Sequence, residues 1–252
     1  MITRRPLPGE SVEMYSPIGL KPIDTFTGKA PLGRLRVILD LQDELGQWHE
    51  TDIKETRTPG DVIAFPALGR SAFTTVPERK YRVRIEAEYY MPFYTKTIPG
   101  GTIDGIEFKV FPYNDAIPPK IYPKDSAGIP YLSQVFRELL LVPAPNYPFP
   151  AQIMVLRGRV VNNLNQPIVG ATVSWRVTEA TLSAGGDVKL PGATAHKSGE
   201  FCLPIRPTHA DHLTMPQEID AFDPRSNKST KLTNVIFPKA VKSNQELKIP
   251  TP

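Results

Sequence analysis

The sharpest grouping of chemically capable residues in this 252-residue sequence is His209-Ala210-Asp211-His212. Imidazoles and a carboxylate are ligands for a divalent ion. In a turn these three side chains converge, whereas in a strand the two histidines, three apart, face opposite sides. No Cys or Glu stands at supporting spacing, so a polar surface loop is the favoured reading. Cys202 is the single cysteine, which rules out a disulfide within the chain. It follows an inward Phe201 with no base in view to make a thiolate, and is expected to be a half-buried structural thiol. Ser198-Gly199 lacks the Gly-x-Ser-x-Gly frame and the helix of a nucleophile elbow. Asp40, Asp43 and Glu44, near Glu50 and Asp52, are too irregularly spaced for a calcium loop and read as a solvated acidic turn. His49 and His196 stand alone and read as exposed turn residues. The expectation is a chain with no catalytic residue, no metal and no cofactor.

Aromatic and apolar residues in unusual settings point to contacts instead. Tyr89-Tyr90-Met91-Pro92-Phe93-Tyr94 offers aromatic groups to both faces of a strand, and something must cover the surplus. Such groups anchor protein interfaces or stack on sugars. The Pro- and Gly-rich start of the chain carries Met14, Tyr15, Ile18, Leu20 and Phe26, which a solvated tail does not need. Met14, Tyr15, Ile18, Leu20, Phe26, Tyr89, Tyr90, Phe93 and Tyr94 are therefore the candidate partner-binding residues.

The elements that must position these residues repeat. Leu35 to Asp40, Thr58-Pro59-Gly60-Asp61, Ile85-Glu86-Ala87 and Phe108 to Pro112 recur in order as Leu156 to Val161, Lys197-Ser198-Gly199-Glu200, Ile219-Asp220-Ala221 and Leu247 to Pro250. Two tandem copies of one β module follow, and repetition suits a scaffold better than an enzyme. The organisation expected is an extended N-terminal arm (1–32), a first sandwich (33–112), a Pro-rich connector (113–150) and a second sandwich (151–252). Tyr81 to Tyr89 alternates apolar and charged residues, the mark of a half-exposed strand. Helical spacing at 131/132, 135/136 and 139/140 predicts one short helix over 131–142, although 139–142 reads equally as a strand. The 28 prolines fall between strand-like runs as loop punctuation. A Gly-rich loop over 179–193 is a candidate contact loop. The fold class expected is all-β: two antiparallel sandwiches joined by a stiff linker.

Charge adds little. The net +4 comes from interspersed residues, and Arg82 and Arg84 are followed by Glu86 and Glu88 on one strand face, unlike a nucleic-acid groove. No signal peptide or membrane span is legible, so synthesis in the cytoplasm is expected, with release by lysis where the chain is part of a particle.

Within 151–205, Val155-Leu156-Arg157-Gly158-Arg159-Val160, Gln166-Pro167-Ile168-Val169-Gly170-Ala171-Thr172-Val173, Thr194 and Ser198-Gly199-Glu200-Phe201 form a pattern that resembles carboxypeptidase regulatory-like domains. The resemblance implies a transthyretin-like sandwich of about seven strands that is accessory and non-catalytic, with a divergent copy at 33–112. Two enzyme families with similar sandwiches do not fit. Intradiol dioxygenases hold iron with two Tyr and two His, and no Tyr follows Trp175. Hydroxyisourate hydrolases end in Tyr-Arg-Gly-Ser, where this chain has Lys248-Ile249-Pro250-Thr251-Pro252. The connector phrase Leu140 to Pro150 is similar to proteins of phage-tail-like contractile injection systems. The function expected is a non-catalytic structural or adaptor subunit that contacts other proteins; the alternative is a carbohydrate-binding module using 89–94 as its platform.

Overall fold

The computed structural model describes residues 16–66, 68–70, 78–94, 102, 104–113, 136–176, 192–205, 216–236 and 245–250. These residues form sixteen strands and no helix, as the all-β expectation requires. The strands lie in four sheets. One has the order β4 (Thr56–Arg57), β5 (Ile63–Ala64), β1 (Gly19–Asp24), β9 (Phe136–Pro143), β7 (Tyr90–Phe93); another has β3 (Trp48–Glu50), β2 (Leu35–Gln42), β6 (Arg79–Ala87), β8 (Ile106–Val110). The third is β13 (Glu200–Ile205), β10 (Met154–Asn162), β16 (Gln245–Ile249), and the fourth β12 (Ala193–Thr194), β11 (Thr172–Arg176), β14 (Gln217–Asp223), β15 (Lys228–Val235).

Contacts divide the chain into two compact units, one of residues 1–21, 39–82 and 107–138, the other of 22–38, 83–106 and 139–252. The first unit holds the β2–β3 hairpin, in register from Asp40 opposite Glu50 to Gln42 opposite Trp48. Gly19 pairs with Ala64 and Leu20 with Ile63 across β1 and β5. Its core includes Ile18, Leu20, Ile63 and Phe65, none more than 1% exposed. Tyr81 stacks on Phe108 at 6.0 Å. A charged pair is buried here too. Arg82 donates from Nη2 and Nε to Asp40 Oδ2 at 2.8 and 3.0 Å, while its guanidinium lies 4.6 Å from the centre of the Trp48 ring.

The second unit contains a sandwich whose core draws on both of its sheets. Leu156 and Val160 of β10, Phe201, Leu203 and Ile205 of β13, and Leu247 and Ile249 of β16 meet Val173, Ala193, Ile219, Ala221 and Val235 from the facing strands. Gly158 lets β13 and β16 lie close on either side of β10, since a Cβ there would run into the Gln245 carbonyl and the Phe201 ring. Gly170 (φ +78°) turns the chain so that Ala171 and Val173 enter the core fully buried. One feature departs from an antiparallel sandwich: β16 runs parallel to β10, Gly158 facing Gln245 and Asn162 facing Ile249. The last strand crosses from the sheet that holds β15 to the opposite one, and it arrives in the direction that β10 runs.

Two sequence expectations need correction. Residues 136–143 form strand β9, so the strand reading of 139–142 holds and the helical one does not; 131–135 lie outside the described residues. Arg137, Leu139 and Leu141 face inward while Phe136 and Glu138 face out, a period of two. The inward Arg137 hid that alternation, and burial lowers its guanidinium to about 10. The N-terminal arm is also not an arm throughout. Residues 19–24 are strand β1, third of five in its sheet, and Ile18 and Leu20 are fully buried.

Candidate functional site

The candidate partner-binding residues do not share one surface. Met14 and Tyr15 lie outside the described residues. Ile18 and Leu20 are core. Tyr90 is 2% exposed, and Tyr89, Phe93 and Tyr94 are half-buried, with the Ile85 amide donating to the Tyr94 hydroxyl at 2.7 Å. The sequence left 89–94 either covered by the arm or connector or open as a platform; in the structure Tyr90 is covered and its neighbours are half-buried.

What covers it is the Pro-rich phrase before the second sandwich. Tyr147 packs edge-on against Tyr90 (5.4 Å) and Phe26 (5.6 Å), and Phe149 against Phe26 (5.1 Å) and Tyr147 (4.6 Å). At the centre lies Asp24, fully buried. Its Oδ1 accepts the Phe26 amide at 2.8 Å, and its Oδ2 accepts the Thr27 and Tyr147 hydroxyls, each at 2.8 Å. The Tyr90 hydroxyl accepts the Leu32 amide at 2.8 Å. A buried carboxylate is tolerated only when its lone pairs are met, and here three donors meet them. Burial, and next the Asp24 carboxylate, push the Tyr147 hydroxyl well above the ordinary tyrosine range; burial also raises Tyr90.

The same phrase is gripped from its other side. The Cys202 thiol donates to the Ala144 carbonyl at 2.9 Å, and Arg157 Nη1 to the Pro145 carbonyl at 2.9 Å. Cys202 is fully buried, not half-buried as its strand position suggested, because residues 143–144 cap the face of β13 that points away from the sandwich core. Burial pushes its thiol up to about 12, with Arg157 opposing, so it stays protonated and unreactive. The connector is thus a packed joint at 143–149 and not a bare spacer.

Of the remaining candidates, Asp40, Asp43, His49 and Ser198 are held in structural contacts. Asp40 is 1% exposed and paired with Arg82, not part of a solvated acidic turn. His49 is not isolated: its Nε2 lies 2.7 Å from Asp43 Oδ2. That hydrogen bond, and next the Gln47 amide, hold the Asp43 carboxyl below its usual value. Ser198 hydrogen-bonds the neighbouring Glu200 carboxylate. His209, Asp211 and His212, and residues 179–191 of the proposed contact loop, lie outside the described residues. Among the described residues no three His, Cys, Asp or Glu side chains are grouped as metal ligands, and no helix is long and apolar enough to cross a membrane.

Two correspondences between turns escaped the sequence reading although both are written in it. Asp43-Glu44-Leu45-Gly46-Gln47 and Asn162-Asn163-Leu164-Asn165-Gln166 are one turn used twice. In each, Oδ1 of the first residue accepts the amides of the third and fifth, and the fourth sits at positive φ, +81° for Gly46 and +59° for Asn165. Likewise Asp24-Thr25-Phe26-Thr27-Gly28-Lys29 and Asp223-Pro224-Arg225-Ser226-Asn227-Lys228 share an Asp whose two oxygens take the amide two residues on and the hydroxyl three residues on.

A scan against protein families matches none, and no curated protein matches the chain. Among solved structures, a streptococcal ancillary pilin is similar at a TM-score of 0.24 and 10% identity, over 92% of this chain and 68% of that one. Nothing about this chain follows from a score so low.

Proposed function

We propose that this chain is a non-catalytic structural subunit that works by contact with other proteins in a larger assembly. The observation that carries the reading is the fate of seven reactive groups among the described residues. The thiol of Cys202, the carboxylates of Asp24, Asp40 and Asp43, the hydroxyls of Tyr90 and Tyr147 and the imidazole of His49 are each tied into a contact that holds the fold. A catalytic group has to be free to meet a substrate; these have been spent on rigidity. Rigidity is what a scaffold element needs, and the packed joint at 143–149 supplies it. A phage-tail-like contractile injection particle is the finer proposal, and it rests on the connector phrase.

The test is chemical replacement. Cys202→Ser and His49→Gln, expressed in place of the native chain, are expected to leave incorporation into its assembly and the associated phenotype unchanged. Loss of the phenotype in either variant, with incorporation and melting temperature intact, would mean that the group does chemistry and that the reading is wrong.

A further inference from the structure

We draw no further inference here: the strongest candidate, the half-exposed aromatic patch where the Phe26 and Phe149 rings meet beside the packed joint at 143–149, is an apolar face and nothing in the structure shows what covers it.

Discussion

Tyr147 shows at the scale of one residue how far the fold depends on satisfied polar groups. Its hydroxyl is raised above the ordinary tyrosine value because burial and the Asp24 carboxylate both disfavour the phenolate. The stabilisation is therefore complete below about pH 10, the unfolded value, and is lost as pH rises through the folded one. In an alkaline titration followed at 295 nm, Tyr147 and Tyr90 should ionise only as the protein unfolds; a fold that stays intact while all tyrosines titrate together near 10 would contradict this. Tyr147→Phe should cost about 2 kcal/mol at neutral pH, the worth of a hydrogen bond to a charged group, and should reduce the alkaline loss. Gly158 gives the steric counterpart. Any Cβ there meets the Gln245 backbone and the Phe201 ring, so Gly158→Ala should destabilise by about 3 kcal/mol through forced separation of β10 from its neighbours, read as a lower melting temperature. Residue types of this sort were legible in part. The packing role of Gly158 follows from its motif, but the burial of Asp24, Asp40 and Cys202 does not, since it depends on which distant segment arrives to cover them.

At the scale of elements, period-two alternation identified β6 and β13, where one face is apolar throughout. It failed at β9, where an arginine takes an inward position, and at β1, where Lys21 and Pro22 interrupt a short apolar run that reads as an arm. The strand phrases read as a repeat do not keep the same neighbours: β6 lies beside β2 in one sheet, whereas β14 and β10, their counterparts in the second copy, lie in different sheets. The closer correspondence is in the turns, the Asx turns at Asp43 and Asn162 standing 119 residues apart. The parallel pairing of β16 with β10 was not legible, because strand direction is set by the crossover and not by the strand's own residues. Strand β1 yields the test at this scale. A free arm would be removed without effect on stability, but β1 lies between β5 and β9 and delivers Ile18, Leu20 and Asp24 to buried sites. Deleting residues 1–24 should abolish cooperative thermal unfolding; an unchanged melting temperature would show that β1 is dispensable.

At the scale of the whole chain, a role as a structural subunit bears on how the sheet edges are arranged. The sandwich of β10 to β16 closes around one core, and β12 lies against β13 and β15 against β16, so few of its backbone groups are left as open edges. The outer strands of the other two sheets, β3, β4, β7 and β8, have only three, two, four and five residues, and β7 carries Pro92. Short edges, one of them interrupted by proline, resist indiscriminate strand addition. The all-β class was legible from strand patterning and proline placement, while the packed joint at 143–149 was not, because the same prolines that suggest a stiff spacer also lay Tyr147 and Phe149 onto Tyr90 and Phe26. The central claim is that this chain acts as one subunit among others. Size-exclusion chromatography of a gently lysed source, with the chain followed by antibody and counted by quantitative mass spectrometry, tests it most directly. The chain should elute in a particle many times its own 28.0 kDa at a fixed copy number; elution as a free 28.0 kDa monomer, with no co-eluting partner at constant ratio, would contradict the claim.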